Sequence, residues 1–136
     1  MILSSGEIRN KIETSCKEAK FIWLVDQSYY VFENENELRE ILDKASITNE
    51  PFIQNKFDCD DFALLLHANV KRQGRELNGN SNYAFGETFV NKRSGIKEPH
   101  NLNICLVVDD TYLVEPQTNE FWKMDKKKDT PLLIKM

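Results

Sequence analysis

The sequence predicts an α+β domain, with helices first and antiparallel strands later. Apolar residues recur at helical spacing through the first half of the chain. From about residue 83 onward they alternate with polar residues, as in half-buried strands. A length of 136 residues suits one domain over 1–136 that buries its own core. Helical segments followed by strands are typical of the α+β class.

Two helices and a strand are predicted in the first third of the chain. The first helix covers residues 6–19, with Cys16 on its apolar face as a buried, inert thiol. A short strand follows at 21–25, where apolar residues alternate. Asn34 or Asn36 can cap the second helix. The apolar face of that helix is Leu38, Ile41, Leu42 and Ala45.

A third helix and a strand are predicted in the middle of the chain. The helix begins at Cys59 and runs to about Gln73, with Gly74 as its stop. Residues 83–90 form an apolar insert in a polar region, which indicates a strand. Gly86 within it predicts a bulge or a close approach of another backbone.

A hairpin is the clearest feature of the last third. Apolar residues alternate over 102–108, and an Asp109-Asp110 turn leads into a returning strand that ends at 115. Cys105 then packs within a strand, and residues 131–135 form a last strand. We see no internal repeat.

The composition argues against several classes of partner. Hydrophobic residues make up 40% and charged residues 29% of the chain, an ordinary globular balance. The net charge of −4 argues against a nucleic-acid partner, which needs a basic face. No apolar run is long enough for a membrane span, and the start lacks the basic flank of a signal peptide. We therefore expect a cytoplasmic protein with reduced thiols, since its three cysteines form no CxxC pair.

Cys59 is the candidate nucleophile. Asp58 can cap the helix that follows it, which places Cys59 in the first helical turn. There the helix dipole favours the thiolate and lowers the pKa of the thiol. The carboxylates of Asp58, Asp60 and Asp61 have the opposite effect and raise it. A small, unreactive cysteine at a helix start remains the alternative.

His100 is the candidate general base. It precedes the hairpin, a position from which a sheet can present an imidazole to a helix start. The only other histidine, His67, lies more than two turns beyond Cys59, roughly 12 Å along the helix axis. We expect His67 to be a structural or a surface histidine.

Glu115 is the candidate carboxylate that orients the imidazole. It ends the returning strand of the hairpin and is followed by Pro116. An Asp109-Asp110 turn would leave it four residues from His100, roughly 13 Å along a regular strand. Gln117 and Asn119 therefore stay open as alternative partners of the histidine.

Four motifs carry a resemblance to a known family. They are Cys59-Asp60-Asp61-Phe62-Ala63, Phe85-Gly86, His100-Asn101-Leu102-Asn103 and Leu113-Val114-Glu115-Pro116-Gln117. In order and spacing they resemble the papain-like cysteine peptidase domain at the C-terminus of Marasmius-type fungal agglutinins, and its small bacterial and phage relatives. The resemblance extends over roughly residues 20–125, and Asn101 departs from it, since a small residue is usual there.

The resemblance implies a papain-like fold, with N-terminal helices and the nucleophile at a helix start, packed on an antiparallel sheet. It implies that Cys59 is the nucleophile, His100 the general base and acid, and Glu115 the orienter. The expected function is a thiol-dependent hydrolase or acyl-transferase acting on an amide or peptide bond of a peptide or protein. Peptidase, deamidase and transamidase share these steps and stay open.

An oxyanion hole would combine the N–H group of Cys59 with a side-chain amide. Gln54, five residues before the cysteine, resembles the glutamine that papain-like enzymes use. Gln117 is a rival for the same cleft, and Asn103 is a further candidate.

The resemblance also implies a possible calcium ion at Asp58, Asp60 and Asp61, although no EF-hand spacing supports one. The sequence requires no other cofactor and does not predict the oligomeric state. The alternative function is a non-catalytic binding or phage-accessory protein that retains the papain-like fold.

Overall fold

A computed structural model describes residues 1–77 and 82–136. Within these residues the chain forms three helices, α1 (Ser5–Ser15), α2 (Glu35–Ala45) and α3 (Cys59–Leu77). Its strands are β1 (Ile2–Ser4), β2 (Phe21–Trp23), β3 (Ser28–Tyr30), β4 (Asn82–Tyr83), β5 (Phe85–Arg93), β6 (Ile96–Val107), β7 (Asp110–Glu115), β8 (Glu120–Lys123) and β9 (Pro131–Lys135).

The strands form two mixed sheets. The larger sheet has six strands in the order β2-β9-β5-β6-β7-β8, and the smaller has three in the order β1-β3-β4. Each contains one parallel pair, β2 with β9 in the larger sheet and β3 with β4 in the smaller. The other pairs are antiparallel.

The predicted α+β class, with N-terminal helices packed on an antiparallel sheet, is wrong. The described chain is built mainly of β-sheet with short helices, and a strand precedes the first helix. The strands β1 to β4 have only two or three residues each, and three of them pair with segments far along the chain. Strands this short carry too little alternation to reveal a partner.

The helix starts follow their caps. Ser4 and Glu7 form a capping box, so α1 begins at Ser5. Asn34 caps α2 by accepting a hydrogen bond from the N–H group of Glu37. The second helix is therefore confirmed, whereas α1 ends at Ser15, four residues before its predicted end.

Two glycines have different roles in the structure. Gly74 lies inside α3, so the predicted stop there is wrong. The predicted close approach at Gly86 is confirmed, because a Cβ atom there would overlap the backbone carbonyl group of Lys135. Only glycine allows β5 and the end of β9 to come this close.

The β6–β7 hairpin turns earlier than predicted. Val107 pairs with Asp110, so Val108 and Asp109 form the turn, and Val108 has a positive φ of 53°. As a result Asn103 pairs with Val114. This register brings Glu115 closer to His100 than the predicted turn would.

Strand β6 separates two parts of the core. On one side Cys105 and Val107 pack with residues of α2 and α3. On the other side Leu102, Ile104 and Leu106 pack with residues of α1. We call these sides the α3 face and the α1 face of β6. In the described part of the chain, no helix is both long and apolar enough for a membrane span.

Candidate functional site

Cys59 is the first residue of α3, as predicted. The helix begins where the N–H group of Phe62 donates to the carbonyl oxygen of Asp58, at 3.0 Å. The side chain of Asp58 instead accepts from the N–H group of Asn55, at 3.2 Å. The carboxylate of Asp58 therefore stabilises the turn before the helix and not the helix start.

The thiol of Cys59 contacts an amide. Asn101, on β6, donates from Nδ2 to Sγ of Cys59 at 3.6 Å, and the cysteine is partly exposed. The other two cysteines are buried. Burial raises the pKa of Cys16 to about 11 and that of Cys105 still further above its usual range. Of the three thiols, Cys59 is the one that a reagent can reach.

Asn103 ties the first turns of α3 to the sheet. Its Nδ2 group donates to the carbonyl oxygens of Ala63, at 2.8 Å, and Gly86, at 3.0 Å. The side chain is completely buried, and its Oδ1 atom has no hydrogen-bond partner within the described residues. Both amide hydrogens of Asn103 are used in these two bonds. An oxyanion role for Asn103 stays a prediction.

His100 contacts Glu115. The distance from Nε2 of His100 to Oε2 of Glu115 is 2.8 Å, and Nη1 of Arg93 lies 3.8 Å from the same oxygen. The backbone N–H group of Gln117 donates to Oε1 of Glu115 at 3.4 Å. The carboxylate thus lies among three donors, of which Arg93 is a residue that the sequence reasoning missed.

The thiol and the imidazole belong to different faces of β6. Asn101 pairs across the ladder with Phe89, and His100 pairs with Val90, which packs in the core beside α1. Because side chains alternate along a strand, Asn101 lies on the α3 face and His100 on the α1 face. Among the residues that the structure describes, no hydrogen bond joins Cys59 to His100.

The remaining candidates, for the oxyanion hole and for the partner of His100, lie in different parts of the molecule. Gln54 has an exposed side chain in the loop before α3. Asn119 is buried and donates to the carbonyl oxygen of Leu42 at 3.0 Å, so it does not replace Glu115 as the partner of His100. Gln117 approaches Glu115 through its backbone, as described above. An oxyanion role for Gln54 or Gln117 stays a prediction.

The three aspartates at the start of α3 lie close together. One oxygen from each of Asp58, Asp60 and Asp61 can be chosen so that all lie within 4.8 Å of one another. Calcium takes six to eight oxygen ligands, so these carboxylates would supply part of a coordination shell. A calcium ion here stays a prediction.

His67 has a structural position, one of the two that we expected. It is buried between α3 and β5, and its Nδ1 atom lies 2.7 Å from Oε2 of Glu87. Nothing in the sequence pointed to Glu87 as its partner, because the two residues lie on different elements.

The comparisons with known proteins identify the family. The family model named Agglutinin C-terminal matches residues 29–121, more than half of the chain. The chain belongs to the Agglutinin C-terminal family. The agglutinin part of the predicted resemblance is therefore confirmed.

Two solved structures are similar to this family member over 99% of its length, each at 18% sequence identity. One is PSL1a in complex with E64, with a TM-score of 0.79. The other is Polyporus squamosus lectin bound to the human-type influenza-binding epitope Neu5Acα2-6Galβ1-4GlcNAc, with a TM-score of 0.75. The present chain spans about half of each, 51% and 49% respectively.

These neighbours correct the predicted papain-like fold and the predicted cysteine peptidase with a catalytic triad. The fold is mainly β, with two mixed sheets and short helices, and it matches lectin chains. Four short motifs in the right order predicted the family but not the sheet topology. The order of motifs records where residues lie along the chain, whereas topology depends on which distant strands pair.

One curated relative matches most of this chain in sequence. Yeast glucan endo-1,3-beta-D-glucosidase 2 is 25% identical over 117 residues, which is 86% of this chain. The match covers only 14% of the yeast protein, so its activity as a whole says nothing direct about this domain.

Proposed function

We propose that this chain is a non-catalytic binding domain, the alternative that the sequence left open. The single observation that supports this is the position of Cys59 and His100 on opposite faces of β6. A general base lies about 2.6–3.2 Å from the heavy atom whose proton it takes, or reaches it through one water. The group beside the thiol is instead the amide of Asn101, which has no basic nitrogen.

We propose carbohydrate as the ligand class. The family name and the lectin solved with a sialylated trisaccharide both support it. The likeness to that lectin is one of fold and extends over half of its chain, so the ligand is our proposal for this domain.

The test is titration calorimetry with Neu5Acα2-6Galβ1-4GlcNAc, followed by an array of neutral and acidic glycans. We expect saturable binding by the wild type. We also expect unchanged affinity for Cys59→Ser and His100→Ala, because binding uses no thiol chemistry. Failure to bind any glycan would overturn the ligand class.

A second candidate function is thiol-dependent acyl transfer. It is favoured by the accessible thiol of Cys59 at the start of a 19-residue helix and by the contact of His100 on β6 with Glu115 on the neighbouring strand β7. In that reaction the thiolate attacks an acyl carbon, and the imidazole gives its proton to the leaving amine. His100 would first have to move to the thiol side of β6.

Alkylation of the native protein with iodoacetamide separates the two candidates. We expect carbamidomethylation of Cys59 and none of the buried Cys16 and Cys105, read by peptide mass spectrometry. Under the binding proposal, His100→Ala changes the rate at Cys59 by less than about two-fold. A drop of ten-fold or more would favour acyl transfer instead.

A further inference from the structure

A cleft lies away from the residues around Cys59. It is formed by the last turns of α1, the β6–β7 turn with the start of β7, and the end of β8 with the loop after it. Its volume is about 410 Å³, within the range of about 300–1,000 Å³ that is typical of small-ligand sites. None of the predicted site residues lines it.

The charges in this cleft leave a surplus cation. Lys11 forms an ion pair with Asp109, and Lys123 forms one with Asp110 at 2.9 Å. Lys126 also lines the cleft and forms no ion pair with any residue that the structure describes. Three lysines and two aspartates give a local charge of +1, in a chain whose net charge is −4.

The cleft also contains hydrogen-bond donors and acceptors other than its lysines. The hydroxyl groups of Ser15 and Thr111 lie 2.6 Å apart, and Asn10 is another residue that lines the cleft. Asp109 and Asp110 each use one oxygen in an ion pair. Their other oxygens have no partner in the described part of the chain and can accept from hydroxyl groups.

We propose that this cleft binds an acidic sugar, an inference that rests on the carbohydrate-binding function proposed above. The carboxylate of the sugar would lie near Lys126, and its hydroxyl groups would donate to the free oxygens of Asp109 and Asp110. The amide of Asn10 both donates and accepts, which suits the alternating hydroxyl groups of a sugar ring. Met124 supplies an apolar part of the wall.

The carboxylates in the wall favour a sugar acid over an inorganic anion. A phosphate ion has few hydrogens to donate, so its oxygens would face the oxygens of Asp109 and Asp110 and be repelled. A ligand with hydroxyl groups around a single negative charge satisfies both the acceptors and the surplus cation. A neutral sugar satisfies only the acceptors.

The test is NMR titration of the ¹⁵N-labelled full chain with D-glucuronate. D-glucose, acetate and inorganic phosphate serve as separate controls. We expect saturable shifts for the amides of residues 10–15 and 109–111 with glucuronate. The shifts with glucose should require higher concentrations, and those with acetate or phosphate should not saturate.

Two matched variants test whether Lys126 is the cation that binds the carboxylate of the sugar. Lys126→Ala should weaken glucuronate binding about five-fold, the effect of one exposed charge pair. Lys127→Ala removes a neighbouring lysine that does not line the cleft and should leave the affinity unchanged. Raising the salt concentration should weaken binding to the wild type more than to Lys126→Ala.

Several outcomes would overturn the cleft proposal. They are the absence of saturable shifts, shifts that map elsewhere, an equal response to acetate, and equal effects of the two lysine variants. Glycan binding on the array with unchanged affinity in Lys126→Ala would overturn the cleft and leave the binding function standing. A negative array together with no saturable glucuronate shifts would overturn both.

Discussion

The two faces of β6 around residues 100–103 differ in the chemistry that they present. The α3 face carries Asn101 and Asn103, whose amides contact the thiol and the backbone of α3. The α1 face carries the ionic group of His100, Glu115 and Arg93. Residues that are neighbours in sequence are thus separated by the sheet itself. The thiol of Cys59 lies beside Asn101, and His100, one residue earlier on β6, faces the other side of the sheet.

The polar contacts on the two faces also differ in how deeply they are buried. The amide of Asn103 is completely buried and joins two backbone segments, so its loss removes a hydrogen bond from each of two carbonyl groups. The side chains of His100 and Glu115 keep 11% and 10% exposure, so water can partly replace their contact. We therefore expect the α3 face to contribute more to stability.

The largest expected effect is that of Asn103→Ala. Removing two buried hydrogen bonds should lower the free energy of unfolding by about 2–4 kcal/mol, because the bonds from Asn103 to the carbonyl groups of Ala63 and Gly86 are lost and a small cavity is left. Urea denaturation followed by circular dichroism measures this change. The control Asn101→Ala removes one weak contact to sulfur and should cost under about 1 kcal/mol. If the two variants lose the same free energy of unfolding, the hydrogen bonds of Asn103 do not contribute more to stability than the contact of Asn101 with sulfur.

The next effect concerns the thiol. Asn101→His should place an imidazole beside Cys59 and speed its alkylation at neutral pH about ten-fold, because a nearby imidazolium lowers the pKa of a thiol. Iodoacetamide labelling rates measure the change, and Asn101→Gln is the control that keeps an amide at this position. If the Asn101→His rate stays at the wild-type level, the α3 face does not direct residue 101 to the sulfur.

The smallest effect tests the hairpin turn that sets the register of the α1 face. Val108 has a φ of 53°, a left-handed conformation that is strained for a β-branched residue. Val108→Gly should raise the free energy of unfolding by about 1 kcal/mol, measured by urea denaturation. In the control Asn55→Gly, where φ is 61°, we expect a smaller gain because asparagine tolerates this region. A loss of stability in Val108→Gly would mean that the valine side chain contributes packing that outweighs the strain.

Much of the local structure could be predicted from the sequence. Asn34 was one of two predicted caps of α2, Cys59 was placed at a helix start, and a close approach was one of two predictions for Gly86. Glu115 was named as the partner of His100, although the predicted turn put them too far apart. The helix starts depend on residues close in sequence, and the close approach at Gly86 depends on a residue type that only one geometry suits.

What the sequence determined by itself was the family, the helix starts and the residues that carry chemistry. The tertiary structure decided the mixed sheets, the position of Arg93 beside Glu115, and the side of β6 that each residue faces. Helix caps and the periodic spacing of apolar residues involve only a few neighbouring residues, so a short stretch of sequence is enough to recognise them. Strand pairing and register depend on contacts between distant segments, where a shift of one residue moves every side chain to the other face.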